Sequence, residues 1–127
     1  MTVESVESAE VQYYGDEHLL RQMLLNLLDN AIRHTPSGGR VRVSLAQFDS
    51  TCKVIVADTG EGIPVEAQPH IFERFYRVDR SRSRKMSSGS GLGLSIAYQL
   101  TVLQSGDLSV QSEVGKGTTF TIWLKSA

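Results

Sequence analysis

Leu24-Leu25-Asn26-Leu27-Leu28-Asp29-Asn30-Ala31-Ile32-Arg33-His34-Thr35-Pro36 reads as a leucine-rich helix that spends two positions on asparagine, a poor helix former. Upstream, Leu19, Leu20, Met23 and Leu24 join Leu27, Leu28 and Ile32 at i, i+3, i+4 spacing, which predicts one wide apolar stripe. Asp16 is a good N-cap and Glu17 suits the positive end of the helix, while Thr35-Pro36-Ser37-Gly38-Gly39 stops it. By helical geometry Asn26, Asn30 and Arg33 fall within about 60° of one another, on the flank of that stripe.

Seven of the eleven glycines lie in three short clusters: Asp58-Thr59-Gly60-Glu61-Gly62, Gly89-Ser90-Gly91-Leu92-Gly93 and Gly115-Lys116-Gly117. Such clusters mark places where backbone bends sharply or comes close to something else. The segments between them supply the rest of the fold. Val41, Val43 and Leu45 alternate with Arg40, Arg42 and Ser44, a strand with one wet face; Gln47 to Thr51 turns the chain. Cys52 to Asp58 is apolar on nearly both faces and predicts a central strand. A short helix is expected over Val65 to Gln68, and helical spacing resumes over Leu92 to Gln104. Leu108 and Val110 face Phe120, Ile122 and Leu124 across a hairpin turned by Glu113 to Gly117.

Val11 to Tyr14 suggests a first short strand, which Val3 and Val6 could extend, although residues 1–9 are polar and expected to fray. The order β-α-β-β-α-loop-α-β-β predicts an α+β fold: a two-layer sandwich with helices on one face of a mixed, mostly antiparallel sheet. Residues 77–90 have no apolar period and carry five basic side chains, a loop long enough to need a functional reason.

Composition narrows the function. A chain of 127 residues with 40% hydrophobic content suits one domain, here 1–127, with one core. Net charge of −1 gives no electrostatic reason to expect nucleic acid or an acidic membrane as partner. Cys52 can form no internal disulfide and fits a reducing compartment. No apolar run reaches the roughly 18 residues a membrane span needs, so a soluble segment without membrane contact is expected.

Together these segments describe a purine-nucleotide pocket. An amide oxygen suits a Mg²⁺ ion that keeps several waters and is shared with phosphates, although two asparagines four apart could equally solvate a helix face. Asp58 closes its strand on the face of Val54 and Val56. Its carboxylate only accepts hydrogen bonds and needs a donor such as the exocyclic amine of adenine; an ordinary turn after a strand is the plainer alternative. Gly60 and Gly62 would let the next turn approach the base edge. Gly89 to Leu94 leads into a helix whose first N–H groups can bind phosphate oxygens. It is not a Walker loop, since no Gly-Lys-Ser/Thr follows. Gly115-Lys116-Gly117-Thr118 reads most simply as a hairpin turn. Phe72 and Phe75 are expected to pack the base of the long loop, and His18 and His70 to lie at the surface. A planar ring at His34 could stack on a purine.

In this order the segments resemble the catalytic ATP-binding domain of bacterial sensor histidine kinases, whose superfamily includes type II topoisomerases, heat-shock chaperones and mismatch-repair ATPases. Asn26 to Pro36 is similar to that family's N box, Asp58 to Pro64 to its first glycine box, and Phe72 to Arg77 to its F box. Gly89 to Leu94 is similar to its second glycine box, and Gly115 to Phe120 to its closing Gly-x-Gly-Thr-x-Phe signature. The resemblance implies the Bergerat fold and binding of ATP and Mg²⁺, with transfer of the γ-phosphoryl group to a histidine. It implies that Asn30 with Asn26 holds the metal, that Arg33 meets the phosphates, and that His34 stacks on the adenine recognised by Asp58.

Gly60, Gly62, Ile63, Gly89, Ser90, Gly91, Leu92, Gly93, Leu94 and Thr118 would complete the nucleotide site. Residues 77–90 would be the ATP lid, with Arg80, Arg82, Arg84 and Lys85 as candidates for the γ-phosphate. The hydrolysing relatives and the anti-sigma serine kinases carry a glutamate base where Asn26 stands. Asparagine has no useful basicity, which favours transfer to histidine over hydrolysis or serine phosphorylation. An ATPase or serine kinase of the superfamily, or a binding module without transfer, are the alternatives.

Two departures stand out. Gln104-Ser105-Gly106 replaces the family's His-Gly-Gly, and none of His18, His34 or His70 sits in a phosphoacceptor-like setting. The partner expected is therefore a phosphoacceptor domain of the same parent kinase and, through it, a response regulator.

Overall fold

The computed structural model describes residues 2–7, 17–48, 50–74, 76 and 93–125. The stripe of the first helix folds as α1, Glu17–His34. Met23, Leu27 and Ala31 are fully buried along it, while Ile32, counted in the stripe from sequence, is 44% exposed. Ala31 takes the inward position because it continues the 23–27 row by one turn, and Ile32 lies about 100° further round. The helix stops where expected, and Thr35 there bonds its hydroxyl back to the Ala31 carbonyl at 2.7 Å.

Strands β1 (Thr2–Glu7), β2 (Arg40–Phe48), β3 (Thr51–Asp58), β4 (Asp107–Glu113) and β5 (Gly117–Lys125) form one sheet in the order β1-β2-β3-β5-β4. β1 runs parallel to β2, and every other pairing is antiparallel. A parallel neighbour needs a long crossover, and α1 lies between these two strands in the chain. Helix α2, Gly93–Leu103, packs against α1, and both helices contact the sheet. The α+β sandwich with a mixed, mostly antiparallel sheet is thus the observed architecture.

Three expectations need correction. Residues 2–7 do not fray: they pair with residues 40–45 of β2 along the sheet edge. Two valines in six residues give little local signal, and the hydrogen bonds come from a partner about forty residues away. The suggested strand at 11–14 lies outside the described residues. In place of the helix expected over 65–68, the described residues make a 3₁₀ turn, Gln68–His70, with Pro69 in its first turn. Finally, β3 is central in the sheet but buried on one face only.

That face is regular. Cys52, Val54, Val56 and Asp58 are buried in β3, and Thr118, Phe120, Ile122 and Leu124 in β5. Register sets Val54 opposite Ile122, Val56 opposite Phe120 and Asp58 opposite Thr118. Phe120 is fully buried and meets the edge of Phe72 at 6.2 Å between ring centroids; Phe72 also stacks on Tyr98 of α2 at 5.4 Å. Phe75 lies outside the described residues. Burial pushes the Cys52 thiol up, so it packs as an inert side chain.

Candidate nucleotide site

Asp58 ends β3 with its side chain on the helix face, as the period of two requires. Its Oδ1 accepts the Gly60 N–H at 2.8 Å and the Thr118 N–H at 3.3 Å. Among the described residues no hydrogen bond falls on Oδ2. Burial holds this carboxyl above the usual carboxylate range; the two N–H bonds and nearby His34 pull it back, and Glu61 pushes it up. A buried carboxylate with one oxygen fixed and the other available suits a ligand that brings N–H donors.

The first glycine turn is shaped by protein before any ligand. A Cβ on Gly60 would lie 2.3 Å from the His34 carbonyl at the end of α1. Gly62 has φ +81°, and a Cβ there would lie 2.3 Å from the Glu113 carbonyl. Both glycines therefore answer backbone crowding from α1 and the β4–β5 hairpin, a reason the sequence reading did not contain. The Glu61 N–H bonds the His34 carbonyl at 3.3 Å, and the Glu61 carbonyl takes the Gly115 N–H at 3.0 Å. His34 Nδ1 lies 3.2 Å from Glu61 Oε1, so the exposed ring is oriented beside Asp58.

Eight residues back along α1, about 12 Å by helical rise, stands Asn26. Its Nδ2 is buried without a hydrogen-bond partner among the described residues. Buried amide nitrogens are rarely left so. Its Oδ1 would be 3.9 Å from a Cβ on Gly93, which places the start of α2 beside it. The orphaned N–H calls for an acceptor, such as a phosphate oxygen or a metal-bound water, and rotating the amide offers Oδ1 instead. Asn30 is half-buried one turn on, and Arg33 forms a 2.9 Å ion pair with Asp29. Arg33 must share or leave that carboxylate to reach a phosphate.

Gly93 and half-buried Leu94 open α2 as expected. Arg80, Arg82, Arg84, Lys85, Gly89, Ser90, Gly91 and Leu92 lie outside the described residues. Among the described residues no group of three or more His, Cys, Asp or Glu could hold a metal ion, and no helix is long and apolar enough to cross a membrane.

On the hairpin side of the site the sequence pointed to Thr118 but not to Ser112 or Gln68. Ser112 Oγ accepts the Ile63 N–H at 2.7 Å, and Gln68 Nε2 donates to the Ile63 and Ser112 carbonyls at 2.9 and 3.1 Å. Ile63 is thereby pinned to β4, 49 residues on. A cleft of about 340 Å³ beside Asp58 is bordered by Ser112, Gly117 and Thr118.

The chain belongs to the family described as "Histidine kinase-, DNA gyrase B-, and HSP90-like ATPase", whose match covers residues 15–127. Within it, the relatives are of the sensor histidine kinase type. Sensor histidine kinase RppB of Synechocystis sp. is 49% identical over 119 residues, covering 94% of this chain and 26% of the relative. The mycobacterial sensor histidine kinase MprB superposes with a TM-score of 0.86 at 36% identity, over 98% of this chain and 84% of that one. Full-length ShkA in complex with AMPPNP gives 0.81 at 32% identity, over 99% and 26%. The chain spans about a quarter of the length of the curated relatives it matches.

Proposed function

We propose that this domain binds ATP with Mg²⁺ and donates the γ-phosphoryl group to a histidine on a separate phosphoacceptor domain of its parent kinase. The observation that carries the reading is the pairing of Asp58 with Asn26: an acceptor for the base and, about 12 Å along α1, an unsatisfied buried amide for the phosphate end. The ShkA complex with an ATP analogue supports the same ligand class.

In this reading Asp58 Oδ2 accepts from the adenine amine, and Ile63 and Thr118 border the base. His34, oriented by Glu61, stacks on it. Asn30 and Asn26 would hold Mg²⁺, which supplies charge neutralisation on the phosphates. Arg33 adds positive charge, the start of α2 at Gly93 and Leu94 offers N–H groups to phosphate oxygens, and residues 77–90 serve as the lid. Phosphoryl transfer asks a protein chiefly for positioning and charge stabilisation. The acceptor imidazole nitrogen forms the new N–P bond as the bond to the β-phosphate oxygen breaks and ADP leaves. Asn26 cannot take a proton from water or a serine hydroxyl, which supports histidine as acceptor over hydrolysis.

We further assign the parent a cytoplasmic catalytic segment and, beyond the phosphoacceptor domain, a response regulator as downstream partner. The test mixes this domain with a phosphoacceptor domain of a relative and labelled ATP. Acid-labile, base-stable label on the acceptor is the expected result. Steady ATP hydrolysis by the domain alone, lost on changing Asn26, would overturn it.

A further inference from the structure

Ser112, on the inward face of β4, stands at the centre of a small hydroxyl network that no motif marks. Its Oγ lies 2.7 Å from the Ile63 nitrogen, 2.9 Å from the Gly117 carbonyl and 2.8 Å from Thr118 Oγ1. A serine hydroxyl has one proton and two lone pairs. The Gly117 carbonyl can only accept, and the Ile63 N–H can only donate. All three contacts are satisfied in one way alone: Ser112 donates to Gly117 and accepts from both Ile63 and the Thr118 hydroxyl.

This assignment fixes the Thr118 proton. Thr118 is 6% exposed, pairs with Asp58 in the ladder and borders the same cleft. With its proton committed to Ser112, Thr118 Oγ1 presents only lone pairs to a ligand. Asp58 Oδ2 likewise only accepts when ionised. Two acceptors side by side can take both hydrogens of a purine 6-amino group, whereas a 6-oxo purine offers only N1–H as a donor there and its carbonyl oxygen meets lone pairs without a proton between them.

We infer that Ser112 is a positioning residue for base selection: by holding the Thr118 hydroxyl proton it makes the site prefer 6-amino over 6-oxo purine nucleotides. The inference rests on the nucleotide reading of the Asp58 pocket and specifies how that pocket selects. Without the Ser112 oxygen, Thr118 is free to turn and donate to a 6-oxo group.

The experiment titrates the purified domain with ADP and with inosine diphosphate by calorimetry, following thermal melting in parallel. Wild type is expected to prefer ADP. Ser112→Ala should reduce the ADP-to-IDP preference about three- to tenfold, the weight of one neutral hydrogen bond, and Ser112→Thr should restore it. In a Thr118→Val background Ser112→Ala should leave the remaining preference unchanged, because Ser112 acts through Thr118. Should the alanine variant not fold, Ser112→Cys carries the same expectation, its thiol being a weak acceptor. Equal weakening of both nucleotides, or no change in either, overturns the role of Ser112 and leaves the nucleotide reading intact. Failure of folded wild type to bind either nucleotide overturns both.

Discussion

Asp58 carries two opposed demands, one from stability and one from binding. Its carboxyl sits above the usual carboxylate range because burial disfavours its charge, so the folded protein takes up this proton more readily than the unfolded chain. As pH falls from above the raised value toward about 3.9, the Asp58 contribution to folding therefore improves. Acceptance from a base amine is lost over the same window. ADP affinity of wild type relative to Asp58→Asn should shrink on acidification, checked by calorimetry at several pH values; a ratio independent of pH would remove the carboxylate from base recognition. Asp58→Ala should weaken ADP and ATP alike, by roughly ten- to a hundredfold for a hydrogen bond to a charged group. Asn30→Ala should instead abolish the Mg²⁺ dependence of ATP affinity, and identical titrations with and without metal would exclude it as a ligand.

These residue types were legible in the sequence because strand and helix periods fix which way a side chain points. Asp58 had to share a face with Val54 and Val56, and Asn26 had to flank the leucine stripe. Ser112 was not legible. Its partners lie in a loop 49 residues earlier and across a hairpin, and nothing in β4 itself distinguishes it from a solvated serine.

At the scale of elements, the end of α2 shows how a local departure is accommodated. Gly106 N–H bonds the Thr101 carbonyl at 2.9 Å and Ser105 N–H bonds the Val102 carbonyl at 2.9 Å, the paired bonds of a Schellman cap. The left-handed residue of that cap is Ser105, at φ 59°, where Gly-Gly in the related motif would place a glycine. Ser105→Gly should raise stability by roughly 0.5–1 kcal/mol, read as a higher denaturation midpoint with unchanged slope. A lower midpoint would show that the serine side chain contributes more than its backbone strain removes. The Gly-Gly departure thus alters cap energy and leaves the cap itself in place. Gly106 stays glycine for another reason: a Cβ there would lie 2.6 Å from the Trp123 carbonyl of β5.

For the whole molecule, the sheet face built on Phe120 is what holds the two halves of the site in register. Phe120→Ala should cost about 3–5 kcal/mol and weaken nucleotide binding through global unfolding rather than through any contact with ligand. Saturating ADP should then restore part of the lost melting temperature, since a ligand that binds only the folded state stabilises it. If the variant melts as wild type does, the buried face is not the main source of cooperativity.

Read by itself, the sequence determined the period of every described element except β1, β3 and the 3₁₀ turn, and the sheet face of Asp58. Those are local properties, set by 3.6- and 2-residue repeats and by the chemistry of side chains. Only the tertiary structure decided that Thr2–Glu7 becomes an edge strand, that Ala31 rather than Ile32 turns inward, and that Gly60 and Gly62 yield to neighbouring carbonyls. It also decided that Ser112 orients Thr118. Each of these depends on atoms brought together from distant parts of the chain, and proximity of that kind leaves no periodic trace in the sequence.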